Sequence, residues 1–141
     1  GGVDGLVNNG RMKNLYQHCE KLMDVLMKDK AAQFYFNAPV DPIALGIPHY
    51  LQIIDTPMDL ATVKRRLTDE HYENLDGWVA DVNLVWNNAI KFNPPGTDVH
   101  ESAKALSNMF DKRVKSLPKP SGGDKNGGSS ATNLMGDLMG M

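Results

Sequence analysis

Apolar residues recur at three- and four-residue spacings along most of the chain, the interval that gathers them on one face of an α-helix. Met12, Leu15, Cys19, Leu22 and Leu26 form the first stripe and predict an amphipathic helix ending near Asp29. A shorter second helix is predicted to start after Pro57-Met58-Asp59 and run to about Leu67. Asp59 can cap its first-turn amides, and Pro57 bars an earlier start. A longer third helix opens after Asn74 and presents Leu75, Trp78, Val79, Val82, Val85, Trp86, Ala89 and Ile90. It must stop by Asn93, because Pro94 and Pro95 cannot continue it. In the fourth, Asp98 and Glu101 have capping-box spacing, and Val99, Ala103, Leu106, Phe110, Val114 and Leu117 form the buried stripe. No segment alternates with period two long enough to be a strand. An all-α bundle is the result.

Between the first and second helices lies a long, proline-punctuated apolar segment. It reads Phe34-Tyr35-Phe36-Asn37-Ala38-Pro39-Val40-Asp41, then Ile47-Pro48-His49-Tyr50, then Ile53-Ile54-Asp55-Thr56-Pro57-Met58-Asp59-Leu60. Loops beyond about 12–15 residues in compact domains are usually functional or disordered. Disorder fits poorly here, given the aromatic and β-branched residues. The prediction is an ordered loop that packs on the core and lines a site. Phe92-Asn93-Pro94-Pro95-Gly96-Thr97-Asp98, taken alone, is ordinary turn punctuation. In an up-down bundle, however, the first–second and third–fourth connections share one end. An aromatic loop and an amide-bearing turn can then close one apolar pocket with few polar anchors, suited to a small molecule or a side chain.

Composition narrows the function more than the fold. A net charge of −2 over 141 residues argues against a protein that lives on phosphate-backbone contacts. No apolar run approaches the roughly 20 residues of a membrane span. Cys19 is the only cysteine, which excludes a disulfide framework and fits a reducing compartment. The chain begins Gly1-Gly2 and is expected to be an excised piece, with residues 1–11 a flexible linker, 12–117 the folded domain and 118–141 a flexible Gly/Ser-rich tail. Its last stretch, Leu134 to Met141, is read as a frayed end, with a short partner-binding motif as the alternative. Adjacent His18 and Cys19 point about 100° apart on a helix and make a poor metal pair. His49, His71 and His100 lack metal-ligand spacing, and neither a phosphate loop nor a nucleophile elbow is present. Asp55, Asp59 and Asp81 have no visible catalytic partner. Lys64-Arg65-Arg66 reads as a solvated helix face, with Asp69 and Glu70 weakening a phosphate-binding reading. No catalytic residue, metal or cofactor is predicted.

From about Leu15 to Leu117 the chain resembles a bromodomain, the acetyl-lysine reader of chromatin proteins. The family pattern Trp-Pro-Phe-x-x-Pro-Val-Asp is similar to Phe34 through Asp41, and Pro-Asp-Tyr to Pro48-His49-Tyr50. Ile-Ile-x-x-Pro-Met-Asp-Leu is similar to Ile53 through Leu60, and the family's asparagine turn to Asn88 through Gly96. Several motifs in the right order make the resemblance specific, and the loop most resembles the bromodomain and extra-terminal group and its plant relatives. The implied fold is an all-α, left-handed up-down four-helix bundle with a long ordered loop between helices one and two.

By that resemblance Asn93 is the anchoring amide, Tyr50 holds a bound water, and Phe36 packs on the acetyl methyl. Val40, Leu45 and Ile47 line the loop side, Phe92 the helix side, Val99 is the gatekeeper and Phe34 joins the mouth. The chemistry suits those roles, since acetylated lysine is neutral, with a carbonyl seeking a donor and a methyl seeking burial. Phe34-Tyr35 replaces the usual Trp-Pro, His49 stands where an acidic residue is common, and Phe92 where many members have Tyr. The resemblance implies a monomeric, nuclear module that binds acetylated histone tails, with no membrane or sequence-specific nucleic-acid partner. Its alternatives are the bromodomain of a histone acetyltransferase or other chromatin enzyme, and a plain helical scaffold whose loop binds another protein.

Overall fold

A computed structural model describes the backbone of residues 2–118 and the side chains of 14–118, so nearly all of the expected tail, from residue 119, lies outside it. The helices are α1 (Gly2–Lys28), α2 (Lys30–Tyr35), α3 (Tyr50–Ile53), α4 (Leu60–Thr68), α5 (Leu75–Phe92) and α6 (Asp98–Lys115). No strand occurs among the described residues. The chain divides into a unit from Tyr16 to Ser116 and a second made of its two flanks. Of the flanks, the structure describes the first turns of α1 and the residues Leu117 and Pro118. Helical backbone therefore enters the segment expected to be linker, whose side chains, with that of Met12, are outside those described.

In the larger unit, α5 packs along α6 and against α4. Its core takes Cys19, Leu22, Met23 and Leu26 from α1, Val63 and Leu67 from α4, and Ala103, Leu106 and Phe110 from α6. Trp78, Val82, Val85 and Trp86 of α5 are buried in it, the two tryptophans among its largest side chains. Phe110 meets Trp78 edge-to-face, with ring centroids 5.2 Å apart.

The predicted caps at Asp59 and Asn74 are present. Asp59 accepts from the Thr62 N–H at 2.9 Å and the Thr62 hydroxyl at 2.7 Å, and Asn74 accepts from the Gly77 N–H at 3.1 Å. Three expectations need correction. The first helix does end beside Asp29, but Asp29 immediately caps α2, accepting from Ala31 and Ala32, so Phe34 and Tyr35 are helical rather than part of the loop. One residue in an extended cap is too small a break for periodicity to register. The cap of α6 is Thr97, not Asp98, and Glu101 reaches back to the Gly96 N–H at 2.9 Å. A hydroxyl one residue earlier took the cap, and Gly96 supplies the positive φ of 92° that the turn needs. Finally, α6 closes at Lys115, so Leu117 lies past its end.

A polar network ties the other end of α5. Tyr72 donates to Asp81 at 2.6 Å, Arg66 of α4 donates to the same carboxylate oxygen at 2.8 Å, and Tyr16 of α1 donates to the Tyr72 carbonyl at 2.7 Å. Burial raises the Tyr72 phenol, and its hydrogen bond to Asp81 adds to that. Gly77 permits this packing, since a Cβ there would sit 3.2 Å from the Tyr72 ring.

Two outcomes follow for stability and reactivity. Replacing Asp59 with Ala should cost about 1–2 kcal/mol through loss of the α4 cap, read as a lower urea midpoint at unchanged slope. Burial pushes the Cys19 thiol up to about 12, so little thiolate exists near neutral pH. A disulfide reagent should leave the native protein unlabelled and modify Cys19 once urea unfolds it; rapid native labelling would contradict the burial.

Candidate functional site

The long loop is stitched to the bundle by its own backbone. The first-turn amides of α4 lack helical partners. Leu60 N–H donates to the Phe36 carbonyl at 2.8 Å and Ala61 N–H to the Asn37 carbonyl at 3.0 Å. The Asn37 amide donates to the Met27 carbonyl at 2.9 Å, holding the loop's start against α1. At its far side the Asn88 amide, buried on α5, donates to the Thr56 carbonyl at 2.9 Å. The outer turn is local: Asp41 Oδ1 accepts from the Ile43 and Ala44 N–H groups at 3.2 and 3.1 Å, and Ile47 N–H donates to the Pro42 carbonyl at 2.8 Å.

These ties leave a cavity of about 390 Å³ between the loop, α5 and the start of α6. All nine residues singled out in the sequence line it. Val40, Leu45 and Ile47 come from the loop, Phe34 and Phe36 from α2 and its end, Tyr50 from α3, Phe92 and Asn93 from the end of α5, and Val99 from α6. Phe36 is buried edge-to-face on Trp86 at 5.4 Å. Tyr50 is 5% exposed, and its ring lies 4.8 Å from that of Phe92. Burial raises the Tyr50 phenol, so it remains a protonated hydroxyl near neutral pH. Phe34 and Leu45 are 81% and 63% exposed and therefore occupy the rim.

Asn93 caps the C-terminus of α5. Its backbone N–H and its side-chain Nδ2 both donate to the Ala89 carbonyl at 3.0 Å. An amide nitrogen carries two hydrogens, so the second is left for another acceptor. The carbonyl of Asn93 accepts from His100 Nδ1 at 2.7 Å. Asp41 is the one carboxylate among the lining residues, and its Oδ1 is engaged by the two backbone amides. No lysine, arginine or histidine lines the cavity. The site can thus hold a neutral group with a hydrogen-bond acceptor and an apolar end.

Sequence reasoning passed over Asn88, Met58, Val85 and Ala89, which also line the cavity. Asn88 left a signal: it is an amide inside the apolar α5 stripe, 9% exposed. The other candidates do not converge. Among the described residues no group of three or more His, Cys, Asp and Glu could hold a metal ion, and no helix is long and apolar enough to cross a membrane. Lys64 pairs with Asp24 at 2.9 Å and Arg66 with Asp81 at 2.8 Å, so two of the three basic residues on α4 are engaged within the protein.

Comparison with known proteins agrees with this architecture. The bromodomain family profile matches residues 19–105, and the chain belongs to the bromodomain family. Bromodomain-containing factor 2 of Saccharomyces cerevisiae is 40% identical over 70% of this chain and 16% of its own length. Transcription factor GTE3, chloroplastic, of Arabidopsis thaliana is 40% identical over 80% of the chain and 24% of its own length. The SWR1 complex bromodomain subunit bdf1 of Schizosaccharomyces pombe is 35% identical over 79% of the chain and 19% of its own length. The chain thus spans less than a quarter of each of these relatives.

Replacing Asn88 with Ala tests the tie between α5 and the loop. The Thr56 carbonyl would lose its donor, and a fall of about 1–3 kcal/mol in unfolding free energy is expected by chemical denaturation. Unchanged stability would show that the bond does not hold the loop.

Proposed function

We propose that this module binds acetylated lysine on histone tails and serves, as a monomer, in a nuclear chromatin-associated protein. The observation that carries the reading is the Asn93 amide, with one hydrogen committed to Ala89 and one left over, at the edge of an apolar cavity. Asn93 donates to the acetyl carbonyl, and Phe36 packs on the methyl. Tyr50 holds a water that bridges to the ligand. Val40, Leu45 and Ile47 form the loop wall, Phe92 and Val99 the helix wall, and Phe34 the rim. An unmodified lysine would desolvate an ammonium among apolar walls, whose single carboxylate, Asp41, already has Oδ1 engaged by two backbone amides. In this reading the module recognises a modification and is assigned no reaction. The names of the relatives, a transcription factor and a bromodomain subunit of the SWR1 complex among them, support a role in transcription.

Binding is expected to be weak. One hydrogen bond contributes about 0.5–1.5 kcal/mol, and each buried methyl-sized group about 0.8 kcal/mol before ordering losses. A dissociation constant in the micromolar range or weaker follows, about −8 kcal/mol or smaller in magnitude. Paired marks or linked modules would be needed for tighter attachment.

Calorimetry with acetylated and unacetylated copies of one histone peptide tests the reading, and equal affinity for the two would sink it. Replacing Asn93 with Ala should weaken the acetylated peptide by about 1–3 kcal/mol, roughly ten- to a hundredfold, with circular dichroism unchanged. A folded variant with wild-type affinity would mean that the site lies elsewhere.

A further inference from the structure

His100 differs from the other described histidines. His49 and His71 are exposed and His18 half-buried, whereas His100 is 7% exposed in the first turn of α6. Its Nδ1 lies 2.7 Å from the Asn93 carbonyl oxygen. A carbonyl can only accept, so Nδ1 must carry the proton and donate. That carbonyl stands at the end of α5, where helical partners run out, and Pro94 follows it. On the other side of the same residue, the Asn93 N–H is bound to the Ala89 carbonyl at 3.0 Å. The two peptide planes flanking one Cα are therefore held independently, one by α5 and one by α6. Fixing both planes fixes the Cα–Cβ direction, and with it the origin of the side-chain amide.

We infer that His100 is a positioning residue for acetyl-group recognition, holding the Asn93 backbone so that its amide is aimed before ligand arrives. The inference rests on the reading of Asn93 as the anchor. His100 does not line the cavity, so it acts through Asn93 rather than on the ligand. Neighbouring Val99 does line it, and the first turn of α6 thus supplies both a wall residue and the support for the anchor. A donor lost at this point leaves the Asn93 carbonyl unpartnered and its peptide plane no longer held by α6, so the amide is aimed by its tie to Ala89 alone, a loss felt on binding.

The test compares three forms of the protein on acetylated and unacetylated histone peptides. His100→Leu removes the donor, whereas His100→Asn can place an amide N–H where Nδ1 stood. The leucine variant should bind acetylated peptide about three- to tenfold more weakly at comparable thermal stability, and the asparagine variant should recover within about twofold of wild type. Long-range proton–nitrogen NMR on the unaltered protein should find neutral His100 as the Nδ1–H tautomer. Because that readout needs no variant, misfolding of either substitution leaves the inference testable. Wild-type affinity in the leucine variant, an asparagine variant as weak as leucine, or an Nε2–H tautomer would each overturn it. Failure of the wild type to prefer the acetylated peptide would instead overturn the anchor reading, while the tautomer still reports on the bond.

Discussion

Two backbone hydrogen bonds, from Leu60 to Phe36 and from Ala61 to Asn37, hold the rest of the site in place. They join the first residues of the long loop to the first turn of the helix that follows it. The entropy of closing a loop grows only slowly with its length, so one firm closure point suffices for a long excursion. The bonds also complete α4, whose first amides would otherwise be open. Loop and helix are therefore mutually dependent: melting the start of α4 would release the loop, and releasing the loop would uncap α4. Asn37 and Asn88 extend the same logic outward, each using a side-chain amide to satisfy a carbonyl that no helix reaches.

Much of this was legible in the sequence because it is local. Asp59 and Asn74 sit three residues before amides they can reach, and Pro94 ends α5 by removing a donor. The cavity was legible for a different reason: bundle topology brings two connections to one end, and both carried aromatics or amides. What escaped was of two kinds. Asp29 both ends α1 and starts α2, and a break that short leaves helical periodicity almost undisturbed. Thr97 and Asp98 are both good caps, and side-chain pattern alone does not decide between adjacent ones. Asn88 to Thr56 and His100 to Asn93 are tertiary matters, since nothing in the local sequence of either donor names its acceptor.

The polar groups of the site are few and mostly committed. Asn93, Asn88 and Asp41 each spend hydrogen-bonding capacity on backbone before any ligand is considered. Such commitment is what makes a small number of polar atoms discriminating, because a group held in one direction rejects acceptors that arrive from another. Apolar walls then add burial without direction. On the proposed reading, selectivity lies in the geometry of the Asn93 amide, while the walls set how large a neighbour it can have.

The Asp41 turn bears on rate rather than affinity. Its bonds to Ile43 and Ala44 join residues two and three apart, and Ile47 closes back on Pro42. Contacts of such short range form in well under a microsecond-to-millisecond domain motion and re-form as quickly when broken. The loop wall carrying Leu45 and Ile47 is thus a preformed edge and not a lid that must fold over its contents. Entry and departure should be governed by diffusion and orientation, with no slow closing step between them. A cavity with such an edge lets its occupants come and go quickly, with brief residence for each.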